Sequence, residues 1–261
     1  MVLFEVKNSM RPQILVSEKD YLVVYKPPRM HTAPLAHSSS DNLLGWCAGK
    51  YPQIAGIPGR RAGEGGLLHR LDFETHGLLL ISRTQQAMEA LIEHQKNGTM
   101  IKEYSALASA GKTTLKGFPM EKPEIPPGKD NAPASFPVKS AFRAYGIGRK
   151  AVRPVIACEN NARSKDAVFD GVNPYITEIL KTQVILNGIT SFQLRIVRGF
   201  RHQIRSHLAW LNMPILNDSI YGGAPYGKGL LGLRAYSLSF IDPSSGLERA
   251  YAIRPLELDE I

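Results

Sequence analysis

Short apolar runs between turn residues dominate the chain, and they predict more strands than helices. Residues 21–26 form a β-branched and aromatic run that stops at Pro27 and Pro28, which is typical of a buried strand entering a loop. Asn187-Gly188 separates two alternating runs and is a strong hairpin signal. The remaining strands are predicted at residues 78–82, 100–108, 140–145, 175–186 and 191–197, with two more inside 230–252.

Two helices are predicted in the first half of the chain. Residues 41–50 place apolar side chains on one face behind Asp41 as a cap. Residues 84–96 repeat apolar positions at helical spacing, with Thr84 as the cap and Gly98 at the expected stop.

A third helix is predicted over residues 201–211, because Ile204 and Leu208 fall on one face. Arg201 and Arg205 lie one turn apart on a neighbouring face. This segment would therefore present two guanidinium groups side by side.

Residues 110–137 are rich in Pro, Gly, Lys and Asn, which leaves no room for a long helix or a central strand. We expect a surface excursion there.

The composition changes this picture only modestly. Thirty-two Lys and Arg against 23 Asp and Glu give a net charge of +9, which weakly favours a polyanionic partner. The apolar runs fall short of the roughly 20 residues that cross a bilayer, and Glu5 and Lys7 replace the apolar core of a signal peptide. We expect a cytoplasmic protein with no membrane segment. Cys47 and Cys158 are too far apart in the chain for a disulfide scaffold.

Several catalytic patterns are missing from the sequence. The seven histidines form no His-Glu-x-x-His pair, and no Ser lies in a Gly-x-Ser-x-Gly elbow. A loosened phosphate-loop pattern ends at Lys112-Thr113, but Gly117 and Pro119 interrupt the helix that such a loop must open. A nucleotide hydrolase is therefore a minor alternative.

One carboxylate stands out. Asp72 lies between Arg70 and Gly77, just before the apolar run at residues 78–82. An Asp at a strand entrance is most often a turn residue bonded to nearby amides, so local features alone do not assign chemistry to it.

The longer sequence motif around Asp72 does indicate a chemical role. His69-Arg-Leu-Asp-Phe-Glu-Thr-His-Gly-Leu-Leu-Leu80 resembles the signature H-R-L-D-x-x-T-S-G-L-L of the RluA-type family of RNA pseudouridine synthases. Three further family motifs are matched in the same order. They are V-V-Y-K-P at 23–27, K-E-Y-S-A at 102–106, and R-H-Q-I-R-S-H-L-A at 201–209 with D-S-I-Y-G at 218–222.

The resemblance implies an α+β fold, with a mixed, mainly antiparallel curved sheet, flanking helices and a central cleft. It implies one catalytic domain over residues 1–261, without the small S4 RNA-binding module that precedes it in many relatives. The reaction would convert specific uridines of ribosomal or transfer RNA to pseudouridine. It is redox-neutral and requires no metal or nucleotide cofactor. We expect a monomer that binds a structured loop or stem-loop of RNA.

The resemblance also implies residue roles. Asp72 is the expected catalytic carboxylate, acting as a nucleophile or as a base. A cation within about 4–6 Å keeps a buried carboxylate ionised, so we predict an ion pair between Asp72 and Arg205. Tyr104 is expected to stack on the extruded uracil, and Arg70 to fill the place that the base leaves. The predicted phosphate contacts are Lys26, Arg29, Arg60, Arg61, Arg198 and Arg201.

Three positions depart from the family pattern. His76 replaces a Ser, Phe200 stands where an Arg is expected with Arg201 one position later, and Arg234 replaces the His of L-H-A. A protein that binds and remodels RNA without catalysis is the main alternative.

Overall fold

The computed structural model describes residues 1–6, 10–35, 41–111, 115–121, 123, 135–156 and 174–261. Lys112, Cys158 and much of the predicted excursion at 110–137 lie outside these ranges.

Strands outnumber helices in the described ranges, as the sequence predicts. The elements in chain order are β1 (Val2–Phe4), β2 (Gln13–Ser17), β3 (Tyr21–Lys26), α1 (Leu43–Ala48), β4 (His76–Ser82), α2 (Gln85–Lys96), β5 (Ile101–Ser109), β6 (Phe136–Tyr145), β7 (Ala151–Val155), β8 (Tyr175–Leu186), β9 (Ile189–Ile196), α3 (Gln203–Trp210), β10 (Leu233–Ile241) and β11 (Glu248–Ile253). Within the described ranges no helix combines the length and apolar character needed to span a bilayer.

The chain divides into two compact units. The first unit comprises Met1–Glu103 and Arg234–Pro255, and the second comprises Tyr104–Leu233 and Leu256–Ile261.

The first unit is built on a mixed sheet in the order β2-β3-β4-β10-β11-β1. Pairs β2/β3, β3/β4 and β10/β11 are antiparallel, whereas β4/β10 and β1/β11 are parallel. Every residue of β3 and β4 is buried, which explains their nearly unbroken apolar sequences.

Helix α2 covers this sheet as the pattern predicts. The Thr84 hydroxyl accepts a hydrogen bond from the N–H of Ala87 and caps the helix. Met88 and Leu91 pack into the core cluster that contains Tyr21 and Leu80.

The second unit carries strands in the order β5-β9-β8-β6-β7. The pairs β6/β7, β6/β8 and β8/β9 are antiparallel. Asn187 and Gly188 have φ values of 48° and 76°, so the predicted hairpin is confirmed with the left-handed turn that suits paired strands. Together the two units confirm the predicted α+β class with a mixed, mainly antiparallel sheet.

Several local predictions were wrong. Asn42 caps α1 in place of Asp41, because the Asn42 side chain accepts from the N–H of Gly45. Helix α3 begins only at Gln203, so Arg201 lies outside it. All eight residues of α3 are buried, including Gln203 and Arg205, so the helix has no solvent-exposed face. Strand β6 begins at Phe136, inside the predicted excursion.

Candidate active site

Asp72 lies at the tip of a loop that is anchored on β4. The N–H of Leu68 donates to the carbonyl of Leu80 over 3.3 Å, so the chain runs beside β4 before it loops back into that strand. The N–H of Thr75 donates to the carbonyl of Asp72 over 3.1 Å and closes a tight turn. The first of these hydrogen bonds fixes the base of the loop to β4. The Asp72 residue is half-buried, so part of it is exposed to solvent.

Thr32, in the loop that follows β3, fixes the backbone immediately before Asp72. Its hydroxyl donates to the carbonyl of Leu71 over 2.7 Å and accepts from the N–H of Leu71 over 3.2 Å. The buried Thr32 side chain therefore satisfies both the backbone N–H and the backbone carbonyl of Leu71.

Lys26 and Met30 fix the backbone immediately after Asp72. The Lys26 ammonium and the Met30 N–H both donate to the carbonyl of Phe73, each over 3.2 Å. We call Lys26, Met30 and Thr32 the Asp72 clamp, because their contacts hold the residues on both sides of Asp72.

The prediction that Lys26 contacts phosphate is wrong. Its side chain is completely buried, and its Nζ also donates to the carbonyls of Pro27 over 2.9 Å and Met30 over 2.8 Å. Burial lowers the pKa of this amine to about 7, against the opposing effect of the negative charge of Asp72. Lys26 is therefore a buried structural amine near the carboxylate.

Two histidines flank the loop, His69 partly buried and His76 buried. Burial, together with the charges of Lys102 and Arg60, holds the pKa of His69 well below its usual value. The Nε2 of His69 accepts from the N–H of Leu80 over 3.3 Å, which agrees with a neutral, structural ring.

His76, at the start of β4, is also neutral. Burial lowers its pKa strongly, and the charges of Arg234 and Lys26 act in the same direction. His76 and Arg234 are direct partners in the parallel β4/β10 pair. Two of the three departures from the family pattern are thus neighbours, a relation that the sequence alone did not indicate.

Arg205, in the second unit, forms a buried two-point ion pair with Asp218. Its Nε donates to Oδ2 over 2.7 Å and its Nη2 to Oδ1 over 2.8 Å. Asp218 is fully buried, and its Oδ1 also accepts from the N–H groups of Ile220 and Tyr221. The motif match included Asp218, but its role was missed. The ion pair of Arg205 with Asp72 stays a prediction.

Tyr104 lies on β5 and is the first residue of the second unit. It is 6% exposed. Lys102, Tyr104 and Ala106 are all buried, as expected for one face of this strand. The stacking role of Tyr104 stays a prediction.

The other predicted cations of the first unit are exposed. Arg29 and Arg61 lie on surface loops, and Arg60 contacts the side chain of Gln95. Arg70 pairs with Glu64 over 3.3 Å, with half of its side chain exposed. Such a pair is worth roughly 0–1 kcal/mol, so Arg70 can exchange it for another partner.

In the second unit, two predicted cations contact their own surroundings. The guanidinium of Arg198 lies 4.5 Å from the ring centre of Tyr175. Arg201 donates to the carbonyls of Arg149 over 2.8 Å and Ala151 over 3.2 Å. Each keeps some exposure, so a phosphate contact stays a prediction for both.

Phe200 has a packing role that accounts for its presence in place of Arg. Its ring stacks on Phe142 with centroids 5.0 Å apart and 6° between the planes, and it also packs against Tyr175.

The residues that the structure describes contain no group of three His, Cys, Asp or Glu side chains placed to hold a metal ion.

An anchored carboxylate loop on a mixed sheet agrees with the similarity to known proteins. The family model of RNA pseudouridylate synthases matches residues 20–210, and this chain belongs to that family. The loosened phosphate-loop pattern therefore lies inside a family of a different chemistry.

Particular relatives carry a more specific name. Ribosomal large subunit pseudouridine synthase D of Pasteurella multocida is 29% identical over 213 residues, which cover 81% of this chain and 53% of the relative. The protein of that name from Escherichia coli K12 is 27% identical over 213 residues, with the same coverage. This chain thus spans about half the length of the curated relatives that it matches.

Solved structures share the fold. Human RNA Pseudouridylate Synthase Domain Containing 1 matches with a TM-score of 0.58 and 18% identity, over 94% of this chain and 85% of the other. Human RNA Pseudouridylate Synthase Domain Containing 4 matches with a TM-score of 0.58 and 19% identity, over 95% and 90%.

Proposed function

We propose that this chain is an RNA pseudouridine synthase with Asp72 as its catalytic carboxylate. The observation that carries the proposal is the position of Asp72, partly buried on a loop whose backbone is clamped on both sides, in a chain of this family. Catalytic groups act best when their geometry is fixed before substrate arrives.

The reaction breaks the bond between N1 of uracil and C1′ of the ribose and forms a bond from C5 to C1′. The hydrogen on C5 leaves as a proton and N1 gains one, so nothing is oxidised or reduced. Asp72 acts as a nucleophile or as a base, and either role needs the ionised carboxylate. The Lys26 side chain lies near enough to Asp72 for the carboxylate to act on the pKa of the amine.

The other roles follow from the resemblance and belong to the same proposal. Arg205 would pair with Asp72, as the resemblance implies. Tyr104 would stack on the extruded uracil, and Arg70 would enter the space that the base leaves. The exposed residues Arg29, Arg60, Arg61 and Arg201 and the partly exposed Arg198 would contact phosphates.

We further propose a single catalytic domain over residues 1–261 that acts as a cytoplasmic monomer. Its substrate is a stem-loop of ribosomal or transfer RNA, and the name of the relatives favours ribosomal RNA.

The test compares RNA from cells that lack the protein with RNA from cells that carry wild type, Asp72→Asn or Glu89→Gln. Glu89 is an exposed carboxylate on α2 and serves as the matched control. Carbodiimide mapping should find at least one pseudouridine that wild type and Glu89→Gln restore and Asp72→Asn does not.

The identified RNA then supports an assay with purified protein. Each turnover should release tritium from RNA labelled at C5 of uridine, because that hydrogen leaves as a proton. If no site differs between the strains, the catalytic assignment is wrong. If Asp72→Asn restores a cellular defect without restoring any pseudouridine, the protein acts by binding RNA.

A further inference from the structure

Phe73 is a large apolar side chain left at the surface beside the candidate catalytic carboxylate. It occupies a corner of the turn closed between Asp72 and Thr75, and it is 42% exposed. Its ring packs against the ring of His31, with centroids 4.6 Å apart and planes inclined by 39°. The two rings come from different loops and form one aromatic surface, which we call the Phe73–His31 platform.

Hydrogen bonds to main-chain carbonyls hold both halves of the platform. The Phe73 carbonyl accepts from Lys26 and Met30, two members of the Asp72 clamp. The His31 carbonyl accepts from the N–H of Leu43 over 2.9 Å, at the start of α1. A ligand that uses the platform would therefore find it already ordered, which lowers the entropic cost of binding.

Positive charge lies close to the platform in the chain. Arg29 precedes His31 by two positions, Arg70 precedes Phe73 by three, and both arginines are exposed. Aromatic rings beside guanidinium groups are the pattern with which proteins bind single-stranded nucleic acid, since bases stack on the rings and phosphates meet the cations.

We propose that the Phe73–His31 platform stacks a nucleobase of the RNA strand adjacent to the uridine that enters the Asp72 site. The inference rests on the proposed function, because it assumes that Asp72 receives a uridine. Position 73 is an unspecified x in the H-R-L-D-x-x-T signature, so the platform is a property of this chain rather than of the motif. It would help to select the target by the base beside it.

Binding is tested apart from turnover in an Asp72→Asn background. Fluorescence anisotropy at one salt concentration follows labelled single-stranded oligoadenylate and oligouridylate. Adenine stacks better than uracil, so the Asp72→Asn protein should bind oligoadenylate more tightly. Adding Phe73→Leu should weaken oligoadenylate binding by about tenfold, the order expected for losing one stacked base, and should remove the preference. Adding Phe73→Trp should preserve it.

Leu247→Ala is the matched control, because Leu247 is another exposed apolar side chain of the first unit, 62% exposed, on the turn between β10 and β11. It should leave both affinities unchanged. Thermal unfolding of each variant checks that the fold is retained.

Two results overturn the platform. One is a Phe73→Leu protein that binds oligoadenylate as tightly as its parent, and the other is an equal loss for both probes. The proposed function fails separately. If no uridine is isomerised but Phe73→Leu still removes the base preference, the platform stands and the catalytic assignment falls.

Discussion

Thr32 shows how one hydroxyl group can position a reactive side chain that it does not touch. It bonds both the N–H and the carbonyl of Leu71, the residue before Asp72. These two hydrogen bonds restrict the backbone conformation of the residue directly before Asp72. Thr32 is a positioning residue for the proposed reaction.

Thr32→Val keeps the shape of the side chain and removes both hydrogen bonds. The rate constant kcat for tritium release should fall about tenfold, because a small displacement of a catalytic group is costly. KM should stay within about twofold, since Thr32 is buried away from RNA.

Thr84→Val is the control. It also removes a threonine hydroxyl that bonds the backbone, here the cap of α2, and it should cost about 1 kcal/mol of stability without changing kcat. Equal kcat values for the two variants would refute the positioning role of Thr32.

Lys26 makes a prediction about pH. Burial lowers the pKa of its amine from 10.5 to about 7 in the folded protein. Between these values the unfolded chain binds a proton that the folded chain does not, so the free energy of unfolding contributed by Lys26 rises as pH rises from about 7 towards 10.

Urea unfolding measured across this range should show the rise in wild type and a smaller one in Lys26→Met. Lys50→Met, at an exposed lysine, should follow the wild-type curve. A Lys26→Met curve parallel to wild type would show that this amine does not titrate as proposed.

A buried ion pair joins helix α3 to the turn that follows it. Arg205 and Asp218 are buried, and their two parallel hydrogen bonds fix the guanidinium plane. The turn at 218–222 therefore sets the orientation of the Arg205 guanidinium.

Removing one partner leaves the other charge buried, which typically costs about 3–5 kcal/mol. Arg205→Met and Asp218→Leu should each lower the free energy of unfolding by this order, and the double variant should lose less than the sum. A double-mutant cycle in urea measures the difference.

The pair of Arg249 with Asp242 is the comparison, because the Arg249 side chain is 43% exposed. Arg249→Met should lower the free energy of unfolding far less than Arg205→Met does, because solvent screens an exposed pair. Additive losses in the Arg205–Asp218 cycle would show that the two residues act independently.

At the scale of the whole molecule, the sequence predicted those strands and helices whose determining residues lie within the element or directly beside it. Strand β3 has the predicted bounds because Pro27 and Pro28 end an apolar run. Helix α2 has the predicted bounds because its cap and its apolar face lie within the same segment. Strands β1, β2 and β7 were not predicted. Strand β1 is largely exposed and pairs with β11, almost the whole chain away, so no local pattern of burial marks it in the sequence.

The site divides in the same way. The motif located Asp72 and Arg205, but it did not predict that Asp218 would hold the arginine, because that contact depends on how the chain returns after α3. Lys26 was predicted to contact phosphate from its charge and its place in a family motif. Its true surroundings are carbonyls that converge from two loops, and no pattern along the sequence reports such convergence.

The Asp72 clamp has a consequence for evolution and for engineering. Lys26 and Met30 bind the carbonyl of Phe73, a group that every amino acid possesses. The side chain at position 73 can therefore change without loosening the carboxylate beside it. If the proposed function holds, a library that varies this one position should retain the reaction while its preference among RNA sequences changes, so the loop is a suitable place to alter the proposed specificity.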